Sequence, residues 1–257
     1  MRYAELQCAS HFSFLRGASS CEELFDRAAF CGVEALAITD RNSLAGIVRA
    51  HEAAKAMCVR LIVGCCSVLN DGSQILVYPT DRPAYSRLCR LLSLGKGRGG
   101  KGHCLLDWDD LARHAEGLIG ILAPDTSAGA PDPHLRRRLE RLAAIFGSDA
   151  HLALTLRRRP VDQMRLYDLE RLADETGVTP VVTNDVLFHD PDRRILQDVV
   201  TCIRNGCTID SLGFRRERSA DRYLKPSAEM HRLFSRHPRA LARTVQIAQR
   251  CRFSLDE

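Results

Sequence analysis

Two aspartates follow apolar runs at positions where an α/β protein can carry out chemistry. Asp40 comes directly after the run EALAIT, and Asp185 follows the run PVVT with one residue between them. In folds built from parallel strands, functional residues gather at the carboxyl ends of the strands. We therefore expect the two carboxylates on one rim, with His11 and His189 near them. Carboxylates and imidazoles are the ligands that hydrolytic metal sites use.

The remaining positions on this rim lack metal ligands; they hold Gln7, Ala9, Arg41 and Leu187. A hydrolytic site needs about three His, Asp or Glu ligands for each ion. Arg41 is expected to repel a cation and to pair with Asp40 instead. We therefore favour structural roles over metal binding for both aspartates. Asp40 is expected to cap the following helix at residues 42–44, and Asp185 is expected to form a turn or to cap a helix.

Other kinds of catalysis have weaker support in the sequence. The nucleophile motif GxSxG is absent, and Ser10 and His11 are sequence neighbours, which does not place a base on a nucleophile. Cys65 and Cys66 also follow an apolar run, so a reactive thiol stays open beside simple burial. An acid and base pair formed by the two aspartates also stays open.

The elements that position these residues alternate between strands and helices. The predicted strands are residues 3–7, 34–39, 61–63, 75–78, 118–122, 150–155 and 180–183. The predicted helices are residues 21–31, 43–57, 83–94, 106–116, 133–146 and 161–177. Units of this kind imply parallel strands with helices outside, and closure into a barrel fits the length. An open doubly wound sheet is the alternative, although no GxGxxG or GxxxxGK[ST] motif follows a strand.

Two stretches interrupt this alternation. Residues 95–102, GKGRGGKG, combine glycine with three positive charges, which predicts a mobile loop able to approach phosphate. From Cys207 onward the alternation ends, and two helices are predicted at residues 227–234 and 238–251.

The positive charge of the chain is concentrated near its end. The net charge is +5, and residues 212–257 hold 11 Lys and Arg against 5 Asp and Glu. Clustered arginine neutralises phosphates, so this distribution suggests a nucleic acid neighbour, with a solvated helix face as the alternative. The candidate nucleic-acid contacts are Lys96, Arg98, Lys101, Arg215, Arg216 and Arg218.

The composition is that of a globular protein and excludes disordered and collagen-like classes. Of 257 residues, 45% are hydrophobic and 27% are charged. No apolar run reaches the roughly 18–20 residues that a membrane span requires. The 11 cysteines are expected to be reduced thiols in the cytoplasm, and the paired spacing of a zinc site is missing.

Several segments of the chain form recognisable motifs. They are YAELQCASHFSFLRGAS at residues 3–19, AITDRNSLAG at 37–46, LIVGC at 61–65 and VTNDV at 182–186. Together they resemble the PHP (polymerase and histidinol phosphatase) domain family. Residues 223–234 and 248–253 are similar to the segment leading toward the polymerase core in error-prone C-family DNA polymerases, which are relatives of the bacterial DNA polymerase III alpha subunit. The resemblance spans nearly the whole chain.

The chain departs from this family at the metal-binding positions. Active PHP domains hold about three metal ions on His, Asp, Glu and Cys side chains, a set that cannot lose most ligands and keep its affinity. Where active PHP domains open with His-x-His, this chain has Gln7-Cys8-Ala9, and where they have Asp before Gly-Ala, it has Arg16. Their Asp-His pair corresponds to Asp40-Arg41, and their acidic residue after Gly-Cys corresponds to Cys66. Their Asp-Val-His motif corresponds to Asp185-Val186-Leu187. We therefore expect no catalytic residue and no bound metal.

Four residues remain as candidates for a residual site. Asp40 and Asp185 keep matching positions and are regarded as vestigial ligands. His11 and His189 each lie two residues beyond a lost ligand, which keeps the same face of an extended strand. They are weak residual candidates.

The resemblance implies an α/β fold, a distorted (β/α)7 TIM-like barrel of the PHP type with a helical C-terminal extension. The barrel is expected at residues 1–206, and a basic, mainly helical extension leading toward a polymerase core is expected at residues 207–257. The implied parent protein is a DNA-directed DNA polymerase, which is a nucleotidyltransferase. It would act in damage-induced mutagenesis and translesion DNA synthesis, and its core would use Mg²⁺.

The chain itself is expected to be an inactive scaffold without a cofactor. The implied partners are the polymerase core, DNA through the parent protein, mutagenesis accessory proteins and a sliding clamp, with no membrane. Packing against the polymerase predicts an exposed apolar patch. The alternatives are a metal-dependent phosphoesterase or 3′–5′ exonuclease with unusual ligands, and a DNA-binding module.

Overall fold

A computed structural model describes residues 2–125 and 132–257, and the strands within these ranges form one seven-stranded sheet. The strands are β1 (Ala4–Glu5), β2 (Ala35–Arg41), β3 (Arg60–Val68), β4 (Gln74–Pro79), β5 (Leu118–Ala123), β6 (Ala150–Leu154) and β7 (Thr179–Val182). Each strand pairs with the strand that follows it in the sequence, which is the strand order found in a barrel.

The helices connect and cover the strands. They are α1 (Cys21–Phe30), α2 (Ile47–Met57), α3 (Arg82–Gly99), α4 (Trp108–His114), α5 (Leu135–Phe146), α6 (Asp162–Thr176), α7 (Arg194–Asn205), α8 (Ser227–Leu233) and α9 (Pro238–Arg250). Short 3₁₀ turns lie at Gly147–Asp149, Pro191–Arg193 and Gly213–Arg215. No helix in the described ranges is both long enough and apolar enough to cross a bilayer.

The prediction that all strands are parallel is wrong for β4. This strand is antiparallel to both β3 and β5, whereas the other neighbouring pairs are parallel. Only residues 69–73 separate β3 from β4, and they form a tight turn in which Gly72 has a φ of +83°. A parallel crossover needs about a dozen residues, so a linker of this length must form a hairpin.

The two ends of the sheet meet at the carboxyl ends of β1 and β7. Cys8 and Val186 form a parallel bridge there, the Val186 amide donates to the Gln7 carbonyl at 2.8 Å, and the Ala9 amide donates to the Val186 carbonyl at 2.9 Å. The curled sheet is therefore drawn together at this end. This confirms the predicted distorted TIM-like barrel.

Helix α9 completes the packing between β1 and β7. The Thr244 hydroxyl accepts a hydrogen bond from the Ala4 amide at 3.3 Å. Ile247, Ala248 and Cys251 belong to the same buried cluster as alternate residues of the strands, such as Ala35. The last segment of the chain thus contributes to the core, while the division at residue 206 stays a prediction.

The glycine-rich stretch at residues 95–102 is not the loop that its composition predicts, because α3 continues to Gly99. A Cβ atom on Gly95 would lie 2.6 Å from Cys104 Sγ and 2.7 Å from Leu106 Cγ. The Leu105 amide donates to the Gly95 carbonyl at 2.9 Å. At Gly95, the missing side chain permits a close approach of the following segment.

Candidate functional site

A pocket of about 270 Å³ opens at the carboxyl ends of the strands, where the strand pattern predicts the functional rim. We call it the mouth pocket. Gln7 after β1, Arg41 at the end of β2, Thr155 after β6 and Asp185 after β7 all line it. The loop after β1, helix α7 and the segment before α8 also contribute to its wall.

Arginine dominates the charge of the mouth pocket. The lining arginines are Arg16, Arg41, Arg157, Arg159, Arg204, Arg215, Arg218 and Arg222. The lining carboxylates are Asp125, Asp185, Glu217 and Asp221. The formal charge of the lining residues is therefore positive, which favours anions over cations.

Asp185 is held between two arginines rather than left open to a cation. Its carboxylate forms an ion pair with Arg157 and another with Arg222, whose Nη2 lies 2.6 Å from Oδ2. Burial on its own would raise the pKa of Asp185, but the two guanidinium groups lower that pKa well below its ordinary value. Arg222 also donates from Nε to the Asp185 carbonyl at 3.0 Å. Asp185 thus anchors the segment before α8 to the barrel.

Asp40 has a structural role, although it is not the helix cap that the sequence predicts. Its Oδ1 accepts from the Ser10 amide at 2.8 Å and the Ser13 hydroxyl at 2.7 Å, and its Oδ2 accepts from the Ser10 hydroxyl at 2.7 Å. Burial raises the pKa of Asp40, although the serine hydrogen bonds lower it. The expected pairing with Arg41 is also wrong, because the two serines surround the carboxylate and Arg41 lines the mouth pocket.

Neither histidine candidate lines the mouth pocket. His11 is exposed and packs on Phe12, with ring centroids 4.5 Å apart. His189 Nδ1 lies 2.8 Å from the Ser19 hydroxyl. The expectation of a shared strand face is wrong for His11 because residues 10–16 form turns, with the Ser13 amide donating to the Ser10 carbonyl at 2.9 Å.

The six predicted nucleic-acid contacts lie in different surroundings. Arg215 and Arg218 line the mouth pocket, whereas the other four do not. Arg216 pairs with Asp198 at 2.7 Å, and Arg98 pairs with Asp110 at 2.5 Å. Lys96 and Lys101 are exposed at and just after the end of α3.

A buried polar network beside the pocket was not predicted from the sequence. Glu5 accepts from the Tyr3 hydroxyl at 2.6 Å and the Gln7 amide at 2.8 Å, and burial raises the pKa of Glu5 to about 7. The buried Lys225 ammonium donates to the Asn184 side chain at 2.6 Å. Asp185 follows Asn184 directly, so this network supports the wall of the pocket. The only sequence signal is a charged residue, Glu5, inside an apolar run.

The residues present do not fit a multi-metal centre. In the described part of the chain, no three His, Cys, Asp or Glu side chains lie close enough together to hold a metal ion. Cys66 lines the pocket, but burial raises the pKa of its thiol to about 12. Metals and electrophiles react with the thiolate, so this pKa disfavours both a cysteine ligand and the alternative of a reactive thiol.

Comparison with known proteins decides the family. Residues 5–175 match the PHP domain. The chain belongs to the PHP domain family. Two solved structures share its fold. One is a putative metal-dependent phosphoesterase from Bifidobacterium adolescentis, with a TM-score of 0.52 and 16% identity over 72% of this chain and 87% of that chain. The other is an amidohydrolase from Chromobacterium violaceum with bound SO4 and no metal, with a TM-score of 0.54 and 17% identity over the same shares of the two chains.

Curated relatives of this PHP domain are much longer proteins. The chain is 62% identical over 256 residues to error-prone DNA polymerase 1 of Agrobacterium fabrum and 62% identical over 257 residues to error-prone DNA polymerase 2 of Rhizobium meliloti. The error-prone DNA polymerase of Allorhizobium ampelinum is 60% identical over 257 residues. Each match covers 100% of this chain and 23% of the relative.

Proposed function

We propose that this chain is the N-terminal PHP domain of an error-prone DNA polymerase and acts there as a scaffold without phosphoesterase activity. The parent would carry out damage-induced, translesion DNA synthesis in the cytoplasm with Mg²⁺ in its core. The names of relatives at 60–62% identity support the parent. The pairing of Asp185 with Arg157 and Arg222 supports the loss of activity and is the observation that carries the proposal.

The charge of the mouth pocket supports the absence of metal. A divalent cation would need Asp185 as a ligand, and this carboxylate is already neutralised by two guanidinium groups. The cation would also approach Arg16 and Arg41, which line the same pocket. Repulsion between like charges is strong where burial limits solvent screening. Ala9 and Leu187, which also line the pocket, provide no side-chain lone pair to offset it.

The surface of α7 supports the scaffold role. Its polar residues Gln197, Asp198 and Thr201 are buried, whereas Ile195 and Ile203 are 72% and 61% exposed. A helix in a globular protein normally buries its apolar face, so this helix presents the face that another surface would cover. We infer that the polymerase core covers it. This is the kind of patch that packing against a polymerase body predicts.

An activity assay tests the loss of catalysis. The 257-residue chain is incubated with Mn²⁺, Mg²⁺ or Zn²⁺, together with p-nitrophenyl phosphate or a 3′-labelled oligonucleotide. The expected result is no release of product above the protein-free blank. Product release that depends on the added metal would show a working metal site and overturn the proposal.

A further inference from the structure

Five arginines that line the mouth pocket form no ion pair with a carboxylate among the described residues: Arg16, Arg41, Arg204, Arg215 and Arg218. The first three also act on one another's charge. Arg16 comes from the turns after β1, Arg41 from the end of β2 and Arg204 from the last turn of α7. Their side chains form none of the ion pairs seen elsewhere in the described ranges, and Arg204 donates only to the Leu15 carbonyl, at 2.9 Å. Three separate elements therefore bring unneutralised guanidinium groups to one cavity.

The carboxylates of the pocket have other partners. Asp185 pairs with Arg157 and Arg222, and Glu217 lies 2.8 Å from Arg222 Nη1. Asp221 pairs with Arg158 at 2.6 Å, and Asp125 also has a partner. Because the charges of Asp185, Glu217 and Asp221 are shared with other cations, these carboxylates do not balance the three arginines.

The three guanidinium groups repel one another. Burial, together with the neighbouring charges of Arg41 and Arg204, lowers the pKa of Arg16 to about 10. Burial and the charges of Arg222 and Arg41 lower the pKa of Arg204 as well. Arginine side chains carry a positive charge in proteins, so the cavity is positively charged. An anion in the cavity would relieve this repulsion.

We propose that Arg16, Arg41 and Arg204 form a metal-independent binding site for a phosphate group. The planar guanidinium group donates two parallel hydrogen bonds to phosphate oxygens, which makes arginine the preferred partner for this anion. A volume of about 270 Å³ admits a phosphate group together with part of the molecule that carries it. The phosphate belongs either to a small free molecule or to a DNA backbone, and both present the same oxygens. This proposal goes beyond the scaffold role and does not depend on the identity of the parent protein.

Binding of phosphate and pyrophosphate to the 257-residue chain tests the proposal. Calorimetric titrations use buffers passed over a chelating resin, since soluble chelators are themselves anions, at constant ionic strength. We expect saturable binding that is weakened about tenfold or more in Arg41→Gln and in Arg16→Gln, because each loses a charge-assisted hydrogen-bond donor. The matched control is Arg90→Gln, at an exposed arginine of α3 outside the pocket, which should bind like the unchanged chain.

The outcome separates the two sources of phosphate. If a short single-stranded oligonucleotide displaces pyrophosphate, the site binds a DNA backbone. If it does not, the site binds a small phosphorylated molecule. The absence of saturable binding, or equal weakening in Arg90→Gln, overturns the proposal. Thermal unfolding checks that each variant is folded. If Arg41→Gln does not fold, Arg41→Lys replaces it, because lysine keeps the positive charge but lacks the planar guanidinium group. Failure here would leave the phosphoesterase result unaffected.

Discussion

Asp185 stands where the family resemblance predicts a metal ligand, and it pairs with two arginines instead. The backbone places its carboxylate at the barrel mouth with a φ of +50°, and two arginines hold it there. A largely buried carboxylate of this kind stabilises the fold only while its partners are present, because each unpaired charge would have to be desolvated alone.

Asp185→Asn should therefore destabilise the chain. Arg157 and Arg222 would lose the carboxylate that neutralises them, and breaking a buried pair costs about 3–5 kcal/mol. Urea unfolding monitored by circular dichroism measures the loss. Asp256→Asn, at an exposed carboxylate paired with Lys55, is the control and should change stability little. If both variants were as stable as the unchanged chain, the pairing would have no structural role.

Glu5 predicts a pH dependence of stability. Burial raises the pKa of Glu5 to about 7 in the folded chain from 4.5, so the folded state holds a proton that the unfolded state releases. This contribution is fully present below pH 4.5 and is lost as the pH rises through about 7.

Glu5→Gln should remove that pH dependence. Between pH 4.5 and 7.5, the free energy of unfolding of Glu5→Gln should rise by about 3 kcal/mol relative to that of the unchanged chain. Urea titrations across this range measure the difference, with Glu52→Gln, at an exposed glutamate, as the control. A difference that stays constant with pH would show that folding does not raise the pKa of Glu5.

At the scale of elements, the order of strands and the position of their ends can be predicted from the sequence. Short apolar runs separated by amphipathic segments place Gln7, Arg41 and Asp185 at strand ends, and the structure brings all three to the mouth pocket. The missed features depend on tertiary contacts. Arg157 and Arg222 reach Asp185 from distant loops, and no spacing pattern encodes that approach.

Two other differences have local causes. The reversed direction of β4 follows from a linker of residues 69–73, whose length alone excludes a helical crossover. Helix α7 was not predicted, although Gly206, with a φ of +61°, marks its end. This helix buries its polar face, whereas helices of globular proteins usually bury their apolar face. Which face is buried can be seen only from the residues that pack against the helix.

The glycines of α3 provide a matched test of packing against flexibility. A Cβ on Gly95 would lie 2.6 Å from Cys104 Sγ, whereas a Cβ on Gly97 would meet nothing within 4 Å. Gly95→Ala should therefore destabilise the chain by about 1–3 kcal/mol through overpacking. Gly97→Ala should stabilise it by about 0.5–1 kcal/mol through helix propensity. Thermal unfolding measures both, and a gain in stability from both variants would show that this stretch is a flexible helix end.

At the scale of the whole molecule, α7 predicts a contact with the rest of the polymerase that we propose as the parent protein. Ile195→Glu combined with Ile203→Glu should leave the fold of the 257-residue chain unchanged, because both side chains are largely exposed. In the full-length polymerase, the same change should lower thermal stability and DNA synthesis. Val48→Glu, at a residue of α2 that is 62% exposed, is the control. Equal behaviour of the control and the double variant in the polymerase would exclude α7 as the contact.

The metal content of the purified chain tests most directly whether the barrel mouth has lost its cations. The chain is purified without chelator, equilibrated with Mn²⁺ and Zn²⁺, passed over a desalting column and analysed by mass spectrometry of its metals. We expect far less than one ion per chain. One or more ions per chain would contradict the account.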